Sequence, residues 1–106
     1  MKIAFIYPPF HHKKFEEDID IVSQEFGLFP PLGLAYAAAI HERAGGEAII
    51  IDANALGLNK KQVLSEVLQW RPDMLAFLLT AYSFFDTLSW IGYLKEKTQL
   101  PTLVGN

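Results

Sequence analysis

The sequence predicts an α/β fold, an open parallel sheet of four strands in order 2-1-3-4 with helices on both faces. Two observations carry the fold class, within which 2-1-3-4 is favoured over other orders. Four short apolar runs occur along the chain, and none alternates polar with apolar residues. Continuous runs of that length suit strands covered on both sides, as in parallel sheets. Segments of helical spacing lie between the runs, so the order reads β-α-β-α-β-α-β. Crossovers of this kind are right-handed almost without exception. The length agrees, since 106 residues are one domain at most.

The first strand is Ile3-Ala4-Phe5-Ile6-Tyr7, stopped by Pro8-Pro9. A helix is expected from Pro31 to Ala44, with Pro31 suited to the first turn and Gly45-Gly46 to the stop. Ala48 to Ile51 forms the second strand, ended by Asp52. The second helix spans Asn59 to Arg71. Its stripe is Val63, Leu64, Val67 and Leu68, its capping-box pair Asn59 and Gln62, and its stop Pro72. Met74 to Thr80 is the third strand. Ser83 to Lys97 is the third helix, with Leu88, Ile91 and Leu94 on one face. Ser83 and Asp86 have capping spacing there, and an acidic residue is favourable near a helix start. Thr102-Leu103-Val104 is the last strand. The pattern is flavodoxin-like, or Rossmann-like in the wider sense.

Composition removes several function classes. The net charge is −3, so no basic surplus exists to neutralise phosphates, and nucleic acid is not the expected partner. The absence of cysteine excludes a disulfide scaffold, a thiol nucleophile and a cysteine-ligated iron–sulfur cluster within these residues. The longest apolar stretch, Leu28 to Ile40, is interrupted by Pro30, Pro31 and Gly33. It falls short of the roughly 20 residues of a membrane span. Proline follows the first strand too soon for a signal peptide, so a cytoplasmic, membrane-free protein is the expectation.

Doubly wound sheets bind ligands outside the carboxyl ends of their strands, where the order reverses. In order 2-1-3-4 that point lies between strands one and three. Tyr7, Pro8, Pro9 and Phe10 stand on one side, with Thr80, Ala81, Tyr82 and Ser83 on the other. Asp52 and Asn54 flank them after strand two, and Gly105 and Asn106 after strand four. The edge is poor for phosphate. Neither G-x-G-x-x-G nor G-x-x-x-x-G-K-[ST] is present. Proline offers no N–H to an anion, so Pro-Pro-Phe is also the wrong turn for a flavin phosphate. A phosphate-accepting aspartate would stand where Leu79-Thr80 stands. The edge better suits a large, flat, partly apolar ligand, with Gly105 allowing close approach and Thr80 and Ser83 bonding its periphery. The same residues also fit a plain structural role, in which Pro8-Pro9 ends a strand and Tyr82 packs.

The connection Phe10 to Pro30 is long for a βα loop. It leaves strand one at the ligand edge, which makes a ligand-contacting role one expectation for it. His11 and His12 are adjacent, which is not the spacing of a helical metal pair. His41, near a helix end, suits a cation or donor there. Glu16, Glu17 and Asp18 read as a solvated acidic face. No nucleophile–base pair is legible from spacing.

Six motifs in order resemble a known family. They are Lys2 to Pro9, Phe29-Pro30-Pro31-Leu32-Gly33-Leu34-Ala35-Tyr36, Ala44-Gly45-Gly46-Glu47, Ile51-Asp52-Ala53, Arg71-Pro72-Asp73-Met74-Leu75-Ala76-Phe77 and Leu103-Val104-Gly105. Together they resemble the N-terminal cobalamin (vitamin B12)-binding domain of cobalamin-dependent radical S-adenosylmethionine enzymes, over nearly the whole chain. The resemblance implies a corrinoid across the carboxyl edge, held at Tyr7, Pro8, Pro9, Phe10, Thr80, Ala81, Tyr82 and Gly105, with Asp52 and Asn54 beside the rim. The D-x-H-x-x-G motif is absent, so the implied state is base-off without a protein histidine ligand. The only metal implied is the corrinoid's cobalt. The partner implied is a downstream radical domain, which would carry the S-adenosylmethionine, the iron–sulfur cluster and the catalytic groups. The family domain continues through another helix and a fifth strand, so this chain reads as its first four strands. The rival expectation is a non-catalytic flavodoxin-like interaction module that has lost its ligand and self-associates through the edge of strand four.

Overall fold

A computed structural model describes residues 1–9, 31–81 and 83–105. Its four strands are β1 (Lys2–Tyr7), β2 (Glu47–Asp52), β3 (Met74–Leu78) and β4 (Thr102–Gly105). The helices are α1 (Leu32–Arg43), α2 (Ala53–Leu56), α3 (Lys60–Trp70) and α4 (Phe84–Thr98). All pairings are parallel and the order is β2-β1-β3-β4. The chain thus has the predicted α/β, flavodoxin-like architecture.

Strand periodicity divides the apolar residues between two faces. Ala4, Ile6, Ile51, Leu75 and Phe77 face α3 and α4, where they join Val63, Val67, Trp90 and Leu94 in the larger core. Ile3, Phe5 and Ala76 face α1 and pack with Leu34 and Ala38. The central strands β1 and β3 are buried on both sides, as their unbroken apolar runs require. The edge strands are not. Ile50 of β2, and Leu103 and Val104 of β4, stay exposed. The expectation that all four strands are covered on both faces therefore holds only for the inner pair.

Local signals set most boundaries. Asn59 and Gln62 form the reciprocal capping box, each side chain accepting the other's backbone N–H at 2.8 Å. Such caps contribute about 1 kcal/mol. Arg71 ends α3 in the left-handed region at φ 58°, before Pro72. Gly45, at φ 97°, leads α1 into β2, a conformation that suits glycine. Three expectations are corrected. Strand β3 stops at Leu78 rather than Thr80, because the Ser83 N–H turns back to the Thr80 carbonyl at 3.3 Å. Ser83 makes no side-chain cap on α4. Its hydroxyl pairs with that of Thr80 at 2.7 Å instead. The short helix α2, capped by Asp52, was not expected.

Candidate functional site

The sheet order puts the reversal between β1 and β3. From β1 the chain crosses to β2 by way of α1, and from β3 to β4 by way of α4 on the opposite face. The connections part there and leave a crevice at the carboxyl edge. The strand ends align across it, with Tyr7 in register with Asp52 and Leu78 with Gly105. Four strands at parallel spacing give this edge a width of roughly 14 Å.

Tyr7 is half-buried at the end of β1. Its phenol is pushed above the ordinary value, first by burial and second by the negative charge of Asp52. Pro8 is buried and Pro9 half-buried directly beyond it. Asp52 is partly committed, since one carboxylate oxygen accepts the Ala55 N–H at 2.9 Å and caps α2. Asn54 lies within α2, half-buried. Thr80 and Ser83 hold each other in the turn after β3, and Ala81 between them is exposed. Gly105 closes the edge, its carbonyl accepting the Leu79 N–H at 2.8 Å. Phe10, Tyr82, Asn106, His11, His12 and the acidic run Glu16 to Asp18 lie outside the described residues.

Two glycines bring backbone close to Leu78. A Cβ on Gly33, at the start of α1, would stand 3.1 Å from one Leu78 methyl. A Cβ on Gly105 would stand 3.6 Å from the other. Leu78 is thus flanked by small residues at the middle of the edge. The fold therefore brings Tyr7, Pro8, Pro9, Thr80, Ala81 and Gly105 to one edge of the sheet. Asp52 and Asn54 stand beside it.

Sequence reasoning missed the aromatic pair that opens α4. Phe84 and Phe85 stack edge-to-face with centroids 5.4 Å apart, and Phe85 is 83% exposed. Leu88, one turn on, is also exposed. A Phe-Phe pair in a first helical turn, where polar residues usually sit, was the available signal. Also missed was an open cavity of about 800 Å³ on the α3/α4 side. It shares only Pro9 with the expected set, so this concavity is distinct from the crevice at the reversal. His41 is accounted for structurally, because its Nε2 lies 2.8 Å from the Met1 carbonyl at the opposite edge.

Among the described residues no three His, Cys, Asp or Glu side chains gather as a metal site. No helix among them is long and apolar enough to cross a membrane. The residues fit a flat, largely apolar ligand by their chemistry, with proline, phenylalanine and glycine surface and two small hydroxyls at the margin. No family model matches the chain, and neither curated proteins nor solved structures contain a match.

Proposed function

We propose that the chain is a corrinoid-binding module, holding cobalamin against the carboxyl edge for a radical S-adenosylmethionine domain elsewhere in its parent enzyme. The observation that carries the reading is the apolar character of the edge at the point where the sheet order reverses. Pro8, Pro9, Phe84 and Phe85 lie there, beside glycines that admit close approach. A ligand settling on such an edge gains roughly 25 cal/mol per Å² of apolar surface removed from water. Tyr7, Pro8, Pro9 and Gly105 would form the floor under this reading, and Thr80 and Ala81 the margin. The corrinoid would supply the cobalt and, in many such enzymes, a methyl relay. The chain's own residues bind and orient it.

Hydroxocobalamin titrated into the protein should give a saturable shift in visible absorption. Unchanged spectra would sink the proposal. A C-x-x-x-C-x-x-C motif in the parent enzyme is the matching expectation at sequence level.

A second reading is favoured by a different observation. Strand β4 is an edge strand whose Leu103 and Val104 are 54% and 42% exposed. Leu32, Tyr36 and Ile40 also form an exposed stripe at helical spacing on α1. Unpaired edges and apolar stripes invite pairing. On this reading the fold serves association, and two copies join through β4. Light scattering over a concentration series tests it, and a strict monomer at every concentration removes it.

A further inference from the structure

The cavity beside α3 and α4 has a chemistry unlike that of the carboxyl edge. Its apolar wall is Pro9, Leu58, Trp90 and Tyr93, and its mouth carries Lys60 and Lys61. Among the described residues no carboxylate lines it, although the chain as a whole is acidic at net −3. The Lys60 ammonium donates to the Ser89 hydroxyl at 2.6 Å and lies 5.9 Å from the Tyr93 ring centre. The Lys97 ammonium lies at the same distance from that ring. Cations thus gather around one aromatic wall. An ammonium has three donors, so Lys60 keeps two beyond its bond to Ser89. The start of α3 does not supply this character, because Asn59 and Gln62 already satisfy each other there.

We infer that this cavity binds a small amphipathic anion, with a flat apolar body against Leu58, Trp90 and Tyr93 and its charged head at Lys60 and Lys61. A volume of about 800 Å³ is within the range of small-molecule sites. A charge-assisted bond from Lys60 fixes the orientation. The inference does not rest on the corrinoid reading. A chain blind to hydroxocobalamin that still takes the anion retains this site and loses only that reading.

The test is a titration of the isotope-labelled protein with phenyl phosphate, followed by nuclear magnetic resonance. Saturable shifts are expected at the Gly57, Lys60 and Lys61 amides and at the Trp90 indole N–H. Trp70, at the other end of α3, should stay still. Inorganic phosphate alone and phenol alone should each bind at least tenfold more weakly. Lys60→Met should weaken phenyl phosphate by about tenfold, and Lys61→Met by less, with circular dichroism confirming that both variants fold. Non-saturating shifts shared with Lys2 and Lys95 would overturn the inference. So would folded Lys60→Met protein that binds as tightly as the native chain, or phosphate alone binding as well as phenyl phosphate.

Discussion

The two edges of the sheet are built for different ends. At the amino edge, polar groups are paired with one another. The Lys2 backbone N–H donates to the Asp73 carboxylate at 2.8 Å, and the Asp73 N–H returns to the Lys2 carbonyl at 2.7 Å. The Lys2 ammonium donates to the Trp70 carbonyl at 2.6 Å and lies 4.4 Å from that residue's ring centre. Met1 accepts from Glu47 and meets His41 through the same carbonyl. At the carboxyl edge, the groups brought together are mostly apolar, and several are open to solvent. The amino edge ties strands and helices to each other. The carboxyl edge leaves area that a ligand or a partner would cover. Stability should therefore be sensitive at the first edge and binding at the second.

Two glycines give the sharpest contrast. A Cβ on Gly46 would run into the His41 ring. Gly46→Ala must displace the His41 ring from the Met1 carbonyl and should cost about 0.5–1.5 kcal/mol, read as a lower denaturant midpoint at unchanged slope. Gly105→Ala adds a methyl at ordinary van der Waals distance from Leu78 and Phe77. It should stay within about 0.5 kcal/mol of the native protein, while weakening hydroxocobalamin by crowding the edge. Equal stability loss at both positions would break the contrast.

Phe85 extends the comparison to a large side chain. Because it is 83% exposed, Phe85→Ser should leave the folded state within about 0.5 kcal/mol of native. If the edge holds a corrinoid, the same change should cost roughly ten- to a hundredfold in its affinity, since covering an aromatic ring contributes about 1.5–3 kcal/mol. An unchanged affinity would move the ligand away from α4. Asp73→Ala is the counterpart at the amino edge. It should cost about 0.5–1.5 kcal/mol through the lost Lys2 bond, with no effect on any ligand at the far side.

Much of this contrast could be read from the residues. The strand order came from the fold class and not from any residue. The parallel sheet and the α3 capping box followed from uninterrupted apolar runs and from Asn59 and Gln62 at capping spacing. Those signals are local, and a few residues suffice to set them. What stayed hidden depends on who is next to whom. An apolar run does not say whether its strand lies inside or at the margin, so the exposure of Ile50, Leu103 and Val104 was not legible. Phe84 and Phe85 carry the same residue type as the core, and only their place at the start of α4 exposes them. Ser83 had a capping partner in sequence, yet its hydroxyl bonds that of Thr80 instead. The cavity draws on three separate stretches, around Pro9, Gly57 to Lys61 and Trp90 to Tyr93. No single window of sequence contains it.

The smallest expected effect tests whether the carboxyl edge is also electrostatically distinct. The Tyr7 phenol is raised above its ordinary value by burial and, to a lesser degree, by Asp52. In the unfolded chain it titrates at about 10. Between that pH and its higher folded value, the unfolded state has lost a proton that the folded state keeps. Proton linkage then makes stability fall as pH rises. The contribution is complete below about pH 10 and lost as pH rises through the folded value. Tyr7→Phe should flatten that alkaline limb, measured as denaturant midpoints at increasing pH. Asp52→Asn separates the two causes. Asparagine still caps a helix, so α2 keeps its start while the charge is gone. Ultraviolet difference spectra should then show the Tyr7 phenolate forming at a lower pH than in the native protein, though still above the unfolded value. A return all the way to the unfolded value would make the Asp52 charge, not burial, the dominant cause, and would make the edge at Tyr7 more open than its half-buried side chain implies.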